Sequence, residues 1–420
     1  MSNALDYIRS FRAFGSKPGL ERVTELCARL GNPQRGLPCV HVAGSAGKGS
    51  TCALLAAMLR ADGRKTGLFT SPGVESFHER IQIDGAHISD AALELLTEQI
   101  KPHADAMREK PTEFEIVTAL GFLHFAREGA DVAVMEVGLG GRYDATNIIE
   151  SPLCAVITDI SLDHTDVLGG TVAEIAYQKA GIIKRGCPAV TACGQDPAAL
   201  EVLLAVSGQE GARLTLAREC EVLAVSPGKT LFTCGSERYA TGLCGAHQAR
   251  NAALALAAAE QLGISPRARR EGLLAAKLAG RFELVRGNPP CVLDGAHNGA
   301  KVDALARTVD EVLACRPVTA IMGMSADKDA EYCVPAIARR AARFIAVQAA
   351  FSRSGALTPQ AVAALARGHC AEVMCESDVQ SAVQTAAAMS RERDVLLVCG
   401  SMYILGEAKR ALARLSRACS

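Results

Sequence analysis

The stretch Gly44–Thr51, Gly-Ser-Ala-Gly-Lys-Gly-Ser-Thr, constrains this chain more than any other part of its sequence. It lies between the apolar run Cys39–Ala43, which predicts a buried strand, and Ala53–Arg60, which predicts a helix. A glycine-rich turn in that position points backbone N–H groups and the positive end of a helix dipole at one place, where a phosphate binds. Lys48 would add a charge for the outer phosphates, and Ser50 a hydroxyl for a magnesium ion.

The spacing differs from the usual G-x-x-x-x-G-K-[ST], because only two residues separate Gly44 from Gly47 and Gly49 precedes Ser50. The alternative is a glycine-rich turn with an exposed lysine. The strand and helix flanks are what the phosphate site requires, and we therefore expect a nucleoside triphosphate site.

Composition restricts the class of partner. The 420 residues are enough for at least two domains, each with its own core. Lysine and arginine number 45, and aspartate and glutamate also number 45. Because no global charge attracts nucleic acid or an anionic membrane, we expect neither as a partner.

The 16 cysteines are scattered without a C-x-x-C pair, and several lie in apolar runs, as Cys39 and Cys399 do. They indicate small buried side chains in a reducing compartment rather than disulfides or zinc ligands. The segment Met1–Phe14 is mixed and charged, and no run is long enough to span a bilayer. We expect a soluble, cytoplasmic protein.

Strand and helix patterns alternate as far as Thr191, after a helical pair over residues 4–30. Strands are predicted at Gly67–Thr70, Asp131–Val137, Cys154–Ile160 and Pro188–Thr191. The alternation predicts an α/β fold with a P-loop-type, doubly wound, mainly parallel sheet. Short alternating runs between Arg213 and Leu243 predict a small antiparallel add-on sheet; they are Leu214–Leu216, Val222–Val225 and Thr230–Thr233.

Candidate ligands follow strands that share one edge of this sheet. Glu136 ends a predicted strand beside the phosphate loop, as does the acid that holds magnesium in nucleotide-hydrolysing folds. His164 follows the next strand; a lone histidine is more often structural, but this one shares its edge with Glu136 and Ser50. A dinucleotide fingerprint is excluded, because Gly138–Gly141 lacks the G-x-G-x-x-G spacing.

Phe77–Gly85 predicts a strand or an ordered loop. Within it, Arg80 would hold an anionic substrate or form a surface pair with Glu79, and the sequence leaves both open. Thr112–Glu115 has the form of a capping box, which predicts the start of a helix.

The alternation resumes after Gly280–Glu283, which we interpret as a hinge. Strands are predicted at Cys291–Asp294, Val318–Met322, Arg343–Val347 and Val395–Cys399. We expect domains at residues 1–280 and 284–420, joined near 279–284. The second would be a smaller Rossmann-like α/β domain that closes over the first and shares a cleft with it.

Ordered stretches of unusual composition run nearly from end to end. They are Val42–Ser50, Ser71–Pro72, Glu79–Arg80, Thr112–Glu115, Glu136–Arg142, Asp144–Asn147, Leu162–Thr165, Lys179–Lys184, His247–Gln248 with Asn251, Gly280–Arg281, Asp294–Asn298, Asp327–Asp329 and Gly400–Ser401. In this order they resemble the folylpolyglutamate synthase and dihydrofolate synthase family, the folate branch of the Mur ligases.

The resemblance implies an ATP-dependent amide ligase. ATP would phosphorylate a carboxylate of dihydropteroate or a reduced folate, and the amine of L-glutamate would attack the acyl phosphate. It implies that ATP is bound by Gly44, Gly47, Lys48, Gly49, Ser50, Thr51, Asn251, Arg281 and Asp294.

The resemblance also implies two magnesium ions, one held by Ser50 and Glu136, the other by Glu136, His164 and Lys179. A cationic lysine cannot ligate a cation, so carbamylation of Lys179 is implied. Catalytic roles are implied for Lys48, Lys179, His164 and His297. Substrate contacts are implied for Ser71, Arg80, Thr112, Phe114, Asp144, Ala145, His297 and Ser401. We expect a bifunctional enzyme and a monomer.

The chain departs from the family pattern at three places. Ser45–Ala46 stands where Thr-Asn is usual, Gly73 stands where a histidine follows Ser-Pro, and Leu278–Ala279 replaces an aromatic residue and a proline. The residues of the ATP chemistry are all present.

Two other functions explain parts of the sequence. A P-loop phosphotransferase or NTPase would use the loop and Glu136, but it would give Lys179, Asp294 and His297 no role. A nucleotide-binding protein without ligase activity would follow if the changes at Ala46 and Gly73 had removed catalysis.

Overall fold

The computed structural model describes residues 3–15, 18–349 and 355–418, and its largest element is an eight-stranded sheet. The strands are β1 Cys39–Ala43, β2 Thr66–Phe69, β3 Ile81–Ile83, β4 Ala86–His87, β5 Val132–Glu136, β6 Cys154–Ile157, β7 Ala189–Thr191 and β8 Leu214–Leu216. They lie in the order β4-β3-β2-β5-β1-β6-β7-β8. From β2 onward the neighbours pair in parallel, whereas β3 and β4 form an antiparallel edge.

Helices cover both faces of this sheet. They are α1 Asn3–Ser10, α2 Glu21–Arg29, α3 Lys48–Ala61, α4 Asp90–Ala106, α5 Glu113–Glu128, α6 Thr165–Leu168, α7 Val172–Ala180, α8 Pro197–Gln209, α9 Ala246–Gln261 and α10 Pro266–Ala275. Helix α3 packs with α9 on one face, and α1, α2, α4 and α5 pack on the other. Every residue of α3 from Ser50 to Leu59 is buried, because this alanine-rich helix is enclosed on all sides.

A three-stranded antiparallel sheet packs against α9. It contains β9 Cys220–Ser226, β10 Lys229–Cys234 and β11 Glu237–Thr241, in the order β11-β10-β9. The assignment of Leu214–Leu216 to this sheet was wrong, since that run is β8 and pairs in parallel with β7. Helix α8 separates β7 from β8, and a crossover helix returns the chain parallel to the preceding strand.

A second sheet of six strands follows. The strands are β12 Glu283–Val285, β13 Cys291–Leu293, β14 Val318–Met322, β15 Arg343–Ala346, β16 Glu372–Cys375 and β17 Val395–Cys399, in the order β12-β13-β17-β14-β15-β16. Its helices are α11 Gly299–Val312, α12 Ala330–Ala338, α13 Pro359–Ala366, α14 Val379–Met389 and α15 Met402–Ala418. We call β1–β11 with α1–α10 the first lobe, and β12–β17 with α11–α15 the second lobe.

The fold class predicted from the sequence is confirmed: a large, mainly parallel α/β sheet carries a small antiparallel sheet, and a second α/β unit follows it. Helix α3 begins at Lys48 rather than at Ala53. Phe77–Arg80 is a 3-10 turn that leads into β3, and Thr112 and Glu115 form the expected capping box of α5. The division near residues 279–284 stays a prediction.

Candidate active site

The glycine-rich loop lies at the carboxyl end of β1 and leads directly into α3. Gly44 and Gly47 have φ values of 151° and 85°, which favour glycine. A Cβ on Gly44 would lie 1.7 Å from Thr158 Oγ1, and a Cβ on Gly47 would lie 2.3 Å from Asn251 Oδ1. The loop therefore packs too closely for side chains at these positions. The backbone and the N-terminus of α3 are left to receive an anion such as a nucleotide phosphate.

Two lysines meet at the Gly44 carbonyl. Lys48 Nζ and Lys179 Nζ each donate to Gly44 O at 2.9 Å. Lys179 is only 2% exposed. Burial and, after it, the charge of Lys48 lower the pKa of Lys179 to about 7, whereas Asp163 and Asp144 act in the opposite direction. The charge of Lys48 at the loop suits a polyphosphate, whereas the lowered pKa of Lys179 weakens the cationic form of that buried lysine.

Glu136 ends β5 beside the first turn of α3. Its Oε2 accepts the Ser71 N–H at 3.0 Å, and a Cβ on Gly49 would lie 3.7 and 3.8 Å from its two carboxylate oxygens. Burial raises the pKa of Glu136, and Lys48, the Ser71 N–H, Arg281 and Lys301 oppose this.

Ser50 is buried on the same turn of α3. A hydroxyl and a carboxylate are hard oxygen donors, so this pair fits a magnesium ion. Thr51 is fully buried, and its hydroxyl has no hydrogen-bond partner within the described residues.

His164 lies at the start of the short helix α6. It has a left-handed backbone, its side chain is half exposed, and its Nε2 is 3.8 Å from Asp163 Oδ1. Burial lowers the pKa of His164, and Lys328, Lys48 and Lys179 add to this while Asp163 opposes it. Among the residues that the structure describes, no group of three or more His, Cys, Asp or Glu side chains could hold a metal ion. A second ion would therefore need another donor.

The second lobe adds charged residues to the same place. Asp294 follows β13, and its carboxylate accepts the N–H groups of Phe282 and Ala296, both at 2.8 Å. Through these two hydrogen bonds Asp294 connects the segment around Arg281 with the end of β13. The positive charge of Arg281 counteracts the effect of burial on the pKa of both Asp294 and Glu136. Helix α15 of the second lobe also contacts the first lobe, since a Cβ on Gly406 would lie 2.7 Å from Val74 O. A cleft shared by the two lobes stays a prediction.

His297 and Lys301 lie side by side in the second lobe. His297 Nδ1 is 2.7 Å from Gly295 O, and His297 Nε2 is 3.4 Å from Lys301 Nζ. Burial lowers the pKa of His297 to about 4 and that of Lys301 to about 8; nearby cations contribute to both shifts. Lys301 was not predicted from the sequence, although its spacing of four residues from His297 could have indicated it.

Arg80 lies against two aromatic rings, those of Phe77 and Phe114. The guanidinium carbon of Arg80 is 5.4 Å from the centre of the Phe77 ring and 5.8 Å from that of Phe114. Phe114 packs so closely on the residues after β5 that a Cβ on Gly138 would lie 2.5 Å from its Cζ. An arginine over aromatic rings suits a flat, anionic substrate.

Other predicted substrate residues organise local backbone. Thr112 caps α5 by accepting the Glu115 N–H. Asp144 accepts from the N–H groups of Leu139 and Thr146 and from the Thr146 hydroxyl, and Ala145 is buried in the 3-10 turn that follows. Ser401 Oγ accepts the Tyr403 N–H at 3.3 Å. Their contacts with substrate stay predictions.

Comparison with known proteins identifies the family. Residues 42–259 match the Mur ligase middle domain, and residues 280–402 match the Mur ligase, glutamate ligase domain. The chain is 37% identical to the dihydrofolate synthase/folylpolyglutamate synthase of Bacillus subtilis (strain 168), and the match covers 98% of each chain. The chain belongs to the folylpolyglutamate synthase/dihydrofolate synthase family.

Solved structures of this family share the fold. Folylpolyglutamate synthase of Mycobacterium tuberculosis, complexed with ADP and AMPPCP, has 33% identity and a TM-score of 0.85, with 98% of this chain and 99% of that chain covered. E. coli FolC in complex with DHPP and ADP has 30% identity and a TM-score of 0.84, with 99% of each chain covered. The protein is thus an ATP-dependent ligase of the Mur type, which supports the ligase interpretation over both alternatives.

The remaining sequence expectations concern the environment of the protein. Within the described ranges, none of the helices combines the length and the apolar character that a bilayer span requires. The fifteen cysteines of these ranges are free thiols, and Cys39, Cys154, Cys291 and Cys399 are buried.

Proposed function

We propose that this ligase adds L-glutamate to dihydropteroate and further glutamates to reduced folates. The observation that carries the proposal is the contact of both lobes with one segment beside the nucleotide loop: the Ser71 N–H donates to Glu136 of the first lobe, and Lys409 of the second lobe bonds Glu75. A site built from two lobes can hold ATP on one side and an amino acid on the other. The proteins of this family that match over nearly their whole length support it.

ATP would lie with its phosphates against the loop and the N-terminus of α3. Lys48 neutralises the γ-phosphate as it moves to the acceptor. Asn251 packs against Gly47, and Arg281 and Asp294 lie where the lobes meet, so these three residues would contact the nucleotide from α9, the hinge and β13. Gly49, Ser50 and Thr51 of the same loop would also contact the nucleotide.

Magnesium fits the donors at this place. Ser50 and Glu136 would hold one ion, and Glu136, His164 and a carbamylated Lys179 a second. The ions would neutralise charge on the transferring phosphoryl group. Lys179 lies next to Lys48 at the Gly44 carbonyl, so a carbamate there would also relieve the repulsion between Lys48 and the cationic form of the buried Lys179. Detection of a carbamate on Lys179, by NMR of protein in isotopically labelled bicarbonate, tests this part directly.

The reaction has two steps. An oxygen of the folate carboxylate attacks the γ-phosphorus of ATP, the bond to the ADP oxygen breaks, and an acyl phosphate forms. The uncharged amine of glutamate then attacks the acyl carbon, phosphate leaves, and the amide nitrogen loses a proton. His297 and Ser401 of the second lobe would position the amino acid. Ser71, Arg80, Thr112, Phe114, Asp144 and Ala145 would line the folate side.

Product analysis tests the function. Purified protein with ATP and magnesium is given dihydropteroate or tetrahydrofolate, each with and without L-glutamate. We expect glutamate-dependent phosphate release and a product heavier by one glutamyl unit, identified by mass spectrometry. ATP turnover that does not depend on glutamate and yields no glutamylated product would contradict the proposal. Cytoplasmic location and a monomeric state stay predictions.

A further inference from the structure

Lys301 is placed where a lysine has no structural reason to be. It lies in the first turn of α11, with its backbone N–H on the cap residue Asn298 at 3.1 Å. The positive end of a helix dipole disfavours a cation there. Its neighbours Arg281, Lys48 and Lys328 are cations, and Asp163 is the acid that counteracts them. Within the described residues no carboxylate lies within ion-pair distance of Lys301 Nζ, so Asp163 counteracts this cost only from a longer distance.

The contact with His297 shows which hydrogens of Lys301 are used. His297 Nδ1–H donates to Gly295 O at 2.7 Å, which leaves Nε2 without a proton. Lys301 Nζ, 3.4 Å away, donates to that nitrogen. An ammonium group carries three hydrogens. Two of them therefore remain for a ligand, and the contact with the imidazole keeps them at one place in the cleft.

The lobe that carries Lys301 indicates which anion this is. The phosphate chain already has Lys48 and the loop of the first lobe, and the nucleotide contacts proposed for Arg281 and Asp294 do not include Lys301 or His297. The matching family domain over this lobe is the glutamate ligase domain, residues 280–402. The anion that enters from this side is the amino acid, whose carboxylates are the complement of an ammonium with two hydrogens to donate.

We propose that Lys301 binds a carboxylate of the incoming glutamate and, together with His297, fixes the amino acid for attack on the acyl phosphate. The inference rests on the proposed ligase function and adds a specificity residue to it. A cation beside His297 without a carboxylate at ion-pair distance discriminates against amino acids that lack the matching carboxylate.

Glutamate kinetics test the proposal in Lys301→Met, Lys301→Arg and the wild type, with ATP and the folate acceptor saturating. We expect Lys301→Met to raise the KM for glutamate about ten- to a hundredfold, since a charged hydrogen bond is lost. The KM for ATP and for the folate should stay within about twofold. Lys301→Arg should recover most of the glutamate affinity. The matched control is Arg307→Met, which removes an exposed cation from the same helix.

Amide analogues separate carboxylate binding from a structural role. The wild type should discriminate against L-glutamine or L-isoglutamine, and this discrimination should shrink in Lys301→Met for the analogue that lacks the bound carboxylate. An unchanged KM for glutamate, an equal effect in Arg307→Met, or undiminished discrimination would overturn the role of Lys301. If Lys301→Met does not fold, Lys301→Gln takes its place under the same criteria. A wild type that makes no glutamylated product would instead overturn the ligase function, and the role of Lys301 with it.

Discussion

Lys48 is the residue on which the ATP chemistry depends. It donates to the Gly44 carbonyl at the entry of α3, beside the buried Lys179. We expect Lys48→Ala to lower kcat for ATP turnover by about a hundredfold or more, because the cation that stabilises the transferring phosphoryl group is lost. Phosphate release in the presence of folate and glutamate measures it. Lys65→Ala, at an exposed lysine of the same lobe, is the control, and near wild-type turnover in Lys48→Ala would contradict the assignment.

His41 makes the stability of the first lobe sensitive to acid. It is buried in β1, and its Nε2 donates to Thr146 Oγ1 at 2.8 Å, since that hydroxyl donates to Asp144. Burial lowers the pKa of His41 to about 3, whereas a histidine in the unfolded chain titrates near about 6.5. Between these values only the unfolded chain takes up the proton. The stabilising contribution of the neutral imidazole is therefore complete above about pH 6.5 and is lost as the pH falls toward 3.

We expect His41→Leu to reduce the pH dependence of the unfolding free energy by about 1.4 kcal/mol per pH unit near pH 5. Leucine keeps an apolar side chain in the strand, and it leaves no donor unpaired because Thr146 still donates to Asp144. Urea unfolding at several pH values measures the slope. His87→Leu, at an exposed histidine of β4, should leave the slope unchanged. Equal slopes for the wild type and His41→Leu would contradict this account.

At the scale of residues, the sequence indicated the groups that stand in motifs and missed those defined by packing. Lys48, Ser50, Glu136 and His164 follow strands whose apolar runs place their ends at one edge. The spacing from His297 could have indicated Lys301, but its place among the cations Lys48 and Arg281 depends on how the two lobes approach each other. Thr158 was missed for the same kind of reason, since only the structure shows it against Gly44.

At the scale of elements, the cap of α5 shows how a predicted substrate residue also carries the fold. Thr112 accepts the Glu115 N–H, and the Glu115 carboxylate accepts the Thr112 N–H and pairs with Arg22. We expect Thr112→Ala to lower the free energy of unfolding by about 1 kcal/mol, because a helix-terminal donor loses its acceptor. Urea unfolding measures this loss.

Thr112→Ser is the matched control, because serine keeps the capping oxygen. If Thr112 acts only through the cap, Thr112→Ser should retain both stability and folate KM. A raised KM for the folate at wild-type stability would indicate a direct substrate contact as well. Unchanged stability in Thr112→Ala would show that the cap does not stabilise α5.

Strand prediction succeeded where strands are buried and failed at edges. The central strands of both sheets are continuous apolar runs, which is typical of parallel strands covered on both faces. Strands β12 and β16 are edge strands with partly exposed residues, so their sequences lack that run, and they were missed. The run of β8 was recognised but assigned to the wrong sheet, because three alternating residues do not specify their neighbour.

At the scale of the whole molecule, α15 of the second lobe packs against a loop of the first lobe, residues 74–76. A Cβ on Gly406 would lie 2.7 Å from Val74 O, so the helix and the loop backbone are in close contact. Lys409, one turn further, bonds Glu75 of that loop and also Glu283 of β12, the latter at 2.7 Å. The same loop is ordered by Glu79, which accepts the N–H groups of residues 74–76 at 2.7–2.9 Å.

This contact connects the lobes to the site. The Ser71 N–H, just before the loop, donates to Glu136, and Arg281, between the lobes, lies with Nη1 2.9 Å from Met402 Sδ of α15. A movement of α15 would therefore affect the candidate metal ligand Glu136 in two ways, through the loop next to Ser71 and through Arg281. Lys409 of α15 connects the loop at Glu75 with Glu283 of β12. Its loss should weaken the contact between the lobes and leave the Gly44–Thr51 loop unchanged.

We expect Lys409→Met to lower kcat/KM for the folate about two- to fivefold while leaving the KM for ATP unchanged, since a partly exposed pair contributes at most about 1 kcal/mol. In a double-mutant cycle with Glu75→Gln the two effects should not add, because both remove the same interaction. High salt should reduce the difference between Lys409→Met and the wild type. Arg267→Met breaks an exposed ion pair within α10 and should leave the kinetics unchanged. Additive effects of Lys409→Met and Glu75→Gln would mean that the lobes are held together by the contact between α15 and the loop backbone, and not by this charge.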